Sequence, residues 1–125
     1  MLKVVGAAHS PSDIHFTSDW MMTVDYLNKV LSHDLDKRQI TIQAGMRLWK
    51  FLEELEQRDW CLDNLGSISD QTMAGVISTG THGSSIEYGV ISNQVAQLLT
   101  IWSNLGGGNY FSISRRFDND MFPGK

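Results

Sequence analysis

The chain has 125 residues, 42% of them hydrophobic and 19% charged, a balance that fits one globular domain with a buried core and excludes a disordered segment. Its formal charge of −4 argues against a nucleic-acid surface, since only Lys37-Arg38 and Arg115-Arg116 are adjacent basic residues and affinity there comes from clustered Lys and Arg. An anionic ligand stays open, because backbone donors hold a phosphate without a formal positive charge.

In chain order, residues 3–7 read as a short β-rich run that ends near Gly6. A loop follows, in which Pro11 bars helix and Ser12 and Asp13 cap or turn locally. Residues 20–24 are apolar enough for a second strand. Residues 30–34 and 39–43 read as a hairpin turning at Asp34-Leu35-Asp36-Lys37-Arg38, with Ile40 and Ile42 on one face and Thr41 and Gln43 on the other. From residue 47 to 58 the period changes: Leu48, Phe51, Leu52 and Leu55 fall at i, i+3, i+4 and i+7 with charged residues between, which predicts an amphipathic helix.

Residues 60–62 read as a short strand in which Cys61 is a small buried hydrophobe, and Ser69 or Asp70 is placed to cap a brief helix over 72–78. Residues 94–103 read as a long strand, Gly106-Gly107-Gly108 as a flexible turn, residues 110–114 as its hairpin partner, and Asn119 to Phe122 as the start of a helix. Cys61 is the single cysteine. It excludes an intrachain disulfide and a Cys-based metal cluster, and makes a reducing, intracellular compartment the default. No apolar run is long enough to span a bilayer and no signal peptide is visible. No repeat or low-complexity linker divides the chain, so residues 1–125 are expected to form one α+β domain, incomplete because a strand begins at once.

Two stretches carry the functional reading. They are Val4-Val5-Gly6-Ala7-Ala8-His9-Ser10-Pro11-Ser12-Asp13, and Gly66-Ser67-Ile68-Ser69-Asp70 continuing through Ala74-Gly75-Val76-Ile77-Ser78-Thr79-Gly80-Thr81-His82-Gly83-Ser84. Both are rich in Gly, Ser and Thr and follow the end of a strand or apolar run, which leaves backbone N–H groups and hydroxyls free for ligand oxygens. A dinucleotide asks for such groups: many donors for the diphosphate and small neighbours for a flat ring. Neither a Gly-x-Gly-x-x-Gly fingerprint after a strand nor a Gly-x-x-x-x-Gly-Lys-Ser/Thr loop is present.

Together with Gln43-Ala44-Gly45 and Asn64-Leu65-Gly66-Ser67-Ile68-Ser69-Asp70-Gln71-Thr72, these motifs resemble the sugar-1,4-lactone oxidases of the vanillyl-alcohol-oxidase flavoprotein superfamily. The likeness is to the D-arabinono-1,4-lactone and L-gulonolactone oxidases, from residue 2 to 122. It implies an FAD-binding domain of the PCMH type and a flavoprotein oxidoreductase of ascorbate-type biosynthesis. It also implies that the substrate cap domain and the catalytic motif lie outside these 125 residues, leaving no catalytic residue among them. Gly6, Ala7, Ala8, His9, Ser10, Pro11 and Ser12 match the loop around the diphosphate and flavin, with His9 at the position joined covalently to the flavin 8α carbon. Ser69, Gly75, Ser78, Thr79, Gly80, Thr81, His82, Gly83 and Ser84 match the second FAD loop. Ala7-Ala8 departs from the pattern, since relatives often carry a further Gly there. The added methyl restricts φ or crowds the diphosphate.

The implied reaction passes hydride from a small-molecule sugar lactone to FAD, with oxygen as the final acceptor; association with an organelle membrane is also a family trait. Without the motif, His9 reads as an ordinary loop histidine; with it, as the flavin attachment point. His82 either contacts FAD or sits in a Gly-flanked turn. His15 and His33 read as surface residues rather than metal ligands. Asp13 and Asp70 read as local caps, and Trp20, Trp49, Trp60 and Trp102 as core. Two alternatives remain beside the lactone oxidase: a non-catalytic remnant without ligand, and the FAD domain of a sibling alditol or alcohol oxidase.

Overall fold

The computed structural model describes residues 1–103 and 110–116. Its elements run β1 (Leu2–Val5), a 3-10 turn (Asp13–His15), β2 (Trp20–Thr23), β3 (Val30–Asp34), β4 (Gln39–Ile42), α1 (Leu48–Glu56), α2 (Met73–Ser78), a second 3-10 turn (Ile91–Gln94), β5 (Gln97–Ser103) and β6 (Tyr110–Arg116). They fall into two units, Met1–Ser92 and a second that begins at Asn93.

In the first unit β1 and β2 pair in parallel, with Leu2 opposite Trp20 and Val5 opposite Thr23. β3 and β4 form the expected antiparallel hairpin, Val30 opposite Ile42 and Asp34 opposite Gln39, with a bulge between Val30 and Ser32. Its turn is fastened where the sequence placed it: Asp34 Oδ1 accepts from the Lys37 amide at 3.0 Å, and Arg38 takes a left-handed φ of 51°, a common way to close a loop of this length. Along β4, Ile40 and Ile42 are partly buried and their neighbours exposed. In the second unit β5 and β6 are antiparallel, from Gln97 opposite Arg116 to Ser103 opposite Tyr110. The turn at Gly106-Gly107-Gly108 and the helix start at Asn119 lie outside the described residues.

The core of the first unit is built on α1 and α2. Leu48, Phe51 and Leu55 are the buried stripe of α1, as its periodicity predicts. They pack with Met46, Val76 and Ile91, and the partly buried Val30, Ile40, Ile42, Leu52, Trp60, Leu62 and Met73 close around them. α1 ends where Asp59 adopts φ 54° and the Leu55 carbonyl accepts from both the Arg58 amide at 2.9 Å and the Trp60 amide at 3.0 Å, a left-handed stop that folds the chain back over the last turn.

Several expectations are overturned here. Residues 60–62 form no strand, because the Trp60 amide is committed to the end of α1 and Leu62 turns to the core. Cys61, between two inward-facing neighbours, is exposed rather than buried. Trp20 and Trp49 are exposed as well, at 79% and 44%: the former lies on the β1–β2 ribbon and the latter beside the buried stripe of α1. His15 is half-buried, not on the open surface, with its ring centroid 4.2 Å from that of Phe16 and tilted 37° to it.

α2 is capped by Thr72, whose Oγ1 accepts from the Gly75 amide at 3.3 Å, and not by Ser69 or Asp70. The reason is reciprocal docking of two helix starts. The Leu48 and Trp49 amides donate to the carbonyls of Gln71 and Ser69 at 2.8 and 2.9 Å, while the Met73 and Ala74 amides donate to those of Met46 and Ala44 at 2.9 and 2.7 Å. Each helix is thereby capped by backbone preceding the other, and the first two amides of each find acceptors there. Nor do Ser12 and Asp13 supply a side-chain cap to their 3-10 turn; the Asp13 backbone carbonyl closes it by accepting from the Phe16 amide at 3.0 Å.

Candidate cofactor-binding site

The first Gly/Ser/Thr stretch leaves the sheet at Gly6 because Gly6 sits against the cap of α2. A Cβ there would collide with Thr72 Oγ1 and lie 3.6 Å from the Gly75 amide nitrogen. Glycine at 6 therefore lets the two stretches touch, a close approach that any larger residue prevents. Two residues on, Ala8 adopts φ 56°. This is the restricted backbone that the Ala7-Ala8 departure foreshadowed, in a region where glycine is at ease and alanine is strained.

Beyond that bend the loop forms one wall of an open cleft of about 500 Å³, lined by His9, Ser10, Pro11, Ser12, Ile14, Ile68, Gln71, Ser78 and Thr79. Residues about seventy positions apart thus share one concave surface. Among the described residues, no protein group pairs with the backbone amides of Ala7, Ala8, His9, Ser10 or Ser12. Of these residues His9, Ser10 and Ser12 line the cleft, and free donors beside serine hydroxyls fit an oxygen-rich group such as a diphosphate. The start of α2 contributes nothing of the kind, since its amides are taken by Met46, Ala44 and Thr72; what faces the cleft is its C-terminal end, Ser78 and Thr79.

Other residues of the second stretch stand behind or beside that surface. Thr79 Oγ1 donates to the Gly75 carbonyl at 2.9 Å and lies 3.3 Å from Thr81 Oγ1. Gly80 turns the chain with φ 64°, and the Thr81 carbonyl accepts from the Ile91 amide at 2.8 Å. Gly83 packs against Asn64, a buried side chain whose Nδ2 donates to the Gly89 carbonyl at 2.8 Å. Ser69 serves α1 through its carbonyl. Ser84 is exposed, as is His82, whose Nδ1 lies 2.7 Å from the Gly83 carbonyl.

Sequence reasoning missed Ile14, Ile68 and Gln71 as lining residues, and it misread Asp70. Asp70 pairs with Arg47 rather than capping α2: its Oδ2 lies 3.6 Å from Arg47 Nη1, and 3.5 Å from His9 Nε2. Arg47 in turn donates from Nη1 to the Asp70 carbonyl and from Nη2 to Asp25 Oδ1, each at 2.7 Å. Ile68 and Gln71 carried a usable signal, since both fall inside the small-residue stretch. Arg47 carried none, because its reach depends on how α1 docks. Among the described residues, no group of three or more His, Cys, Asp or Glu side chains is placed to hold a metal ion, and no helix is long and apolar enough to cross a membrane.

This architecture defines an α+β FAD-binding fold of the PCMH, vanillyl-alcohol-oxidase-like type. It superposes on cholesterol oxidase from B. sterolicum with a TM-score of 0.72, over 92% of this chain and 24% of that one, at 19% identity. Residues 1–104 match the family described as FAD binding domain, and the chain belongs to that family. Its relatives include L-gulonolactone oxidase of Bos taurus, 41% identical over 97% of this chain and 27% of its own length. D-arabinono-1,4-lactone oxidase of Candida glabrata is 42% identical, with coverages of 97% and 23%, and that of Yarrowia lipolytica is 45% identical, with coverages of 78% and 19%. The kinship that the motifs implied is therefore present, and the chain spans about a fifth to a quarter of the length of these relatives.

Proposed function

We propose that this chain is the FAD-binding portion of a sugar-1,4-lactone oxidase, with residues 1–125 belonging to one such domain. The observation that carries the reading is the cleft: His9, Ser10 and Ser12 from one motif meet Ser78 and Thr79 from the other, in a chain of the FAD-binding family. Bound there, FAD would accept hydride from a small sugar lactone and pass the electrons to oxygen. The chain's own residues bind and orient. The free amides of Ala7, Ala8, His9, Ser10 and Ser12 and the hydroxyls of Ser10 and Ser12 hold the diphosphate, and Gly6 lets the two loops lie close, with Gly75 beside it. Ser69, Ser78, Thr79, Gly80, Thr81, His82, Gly83 and Ser84 form the second bed. His9 is the covalent anchor, suited to it because a neutral imidazole nitrogen is nucleophilic near neutral pH.

The test is to express the full-length protein with FAD and precipitate it in acid. Flavin that stays with the protein, maps to the His9 peptide and is lost in His9→Ala supports the anchor; flavin released by acid refutes it. Peroxide formation with sugar 1,4-lactones, set against alditols and simple alcohols, decides the substrate class, and a protein produced without flavin whose melting FAD does not shift overturns the cofactor assignment.

A further inference from the structure

We propose that Asp70, clamped by Arg47, is the positioning residue for the His9 ring. The inference rests on the reading of His9 as the flavin anchor and adds what holds that ring in place. Asp70 is better fixed than its place in a loop would indicate. The carbonyls on either side of it, those of Ser69 and Gln71, are bound by the first amides of α1, and its own carbonyl accepts from Arg47. Arg47 stands at the N-cap of that helix and is braced from the other side by Asp25 at 2.7 Å. The backbone of Asp70 is thus tied to α1 at three successive residues.

Its carboxylate faces the anchor histidine. The distance of 3.5 Å from Oδ2 to His9 Nε2 is longer than a direct hydrogen bond, and contacts of this kind shorten when a site fills. The ionisable groups facing His9 are Asp70 and, behind it, Arg47 with Asp25. A carboxylate only accepts, so a neutral imidazole beside it keeps its proton on Nε2 and presents Nδ1 as the nitrogen with a free lone pair. Among the described residues no second polar partner fixes the His9 ring, so it is Asp70 that selects between its two nitrogens.

In the bond-forming step, Nδ1 joins the 8α methyl carbon of the flavin. That carbon loses one proton and the imidazole loses its Nε2 proton, toward Asp70. The two electrons released pass to the flavin and on to dioxygen, which takes both protons and leaves as hydrogen peroxide. Asp70 itself is unchanged at the end.

The experiment uses the full-length protein produced without flavin and mixed with FAD. It measures non-covalent FAD affinity, the rate of acid-stable flavin incorporation, and which ring nitrogen is substituted in the isolated flavin peptide. Asp70→Ala is expected to slow incorporation about tenfold or more, by analogy with the effect of removing the carboxylate that orients a metal-bound histidine. FAD affinity should stay within about twofold and substitution should spread to both nitrogens, which a loss of packing alone would not produce. Asp70→Asn, which keeps the shape and an accepting oxygen, is expected to lose less rate and to keep Nδ1. If Asp70→Ala fails to fold, Asp70→Asn decides: slower incorporation at unchanged affinity supports the role, and the wild-type rate overturns it. Wild-type rate and a single substituted nitrogen in both variants overturn the role of Asp70 while leaving His9 as the anchor. Absence of acid-stable flavin in the wild type overturns both.

Discussion

The α1–α2 core and the β1–β2 ribbon are held by different forces. In the core, Met46, Leu48, Phe51, Leu55, Val76 and Ile91 bury one another and the β3–β4 hairpin covers them. On the ribbon, Leu2, Val4, Trp20 and Met22 share one face by register and all are exposed. Parallel strands are ordinarily covered on both faces, so the ribbon draws little stability from its own packing. Beyond the buried Val24, its ties to the core include polar and backbone contacts: Gly6 against Thr72, Asp25 paired with Arg47, and Asn28, just beyond it, whose carbonyl accepts from Lys50. One wall of the cleft hangs from this ribbon and the other from the core. The site's geometry therefore depends on a few precise contacts more than on the bulk of buried surface.

That contrast can be broken most severely in the core. Met46→Ala empties a fully buried position and is expected to cost about 2–5 kcal/mol, measured as a lower midpoint in urea unfolding. A cost near zero would show that the core is not what stabilises this unit. Gly6→Ala strikes the contact between the two regions and is expected to cost about 1–3 kcal/mol by overpacking, with FAD affinity falling alongside stability. Because the added methyl meets Thr72 Oγ1, the loss should be less than additive with Thr72→Ala in a double-mutant cycle. Strict additivity would mean that the two residues do not touch.

On the ribbon's exposed face, Trp20→Gln is expected to change stability by no more than about 0.5 kcal/mol, despite removing the largest side chain there. A larger loss would mean that the ribbon is packed in solution. The smallest effect concerns the hairpin. The Lys37 amide, first, and its ammonium hold the Asp34 carboxyl below its ordinary value of 3.8. A lowered pKa stabilises the fold above the ordinary value, and that contribution is lost as pH falls through the folded one. Acid titration followed by the exchange of the Lys37 amide should show the turn loosening only at the acid end, and Asp34→Asn should remove the pH dependence.

What the chain determined by itself is what repeats locally. The spacing of Leu48, Phe51 and Leu55 specified α1 and its buried face, alternation at Ile40 and Ile42 specified β4, and the two Gly/Ser/Thr motifs specified both walls of the cleft and their family. Tertiary structure decided whatever depends on backbone from elsewhere. The starts of α1 and α2 are capped by carbonyls of residues 69–71 and 44–46, and a carbonyl has no side-chain signature to read. The same docking turned Trp60 and Leu62 inward and left Cys61 outside, and it carried Asp70 from the expected cap to a position beside His9. Periodicity records which face a residue takes on its own element, whereas a site is made by the distance between elements, which only the packed chain sets.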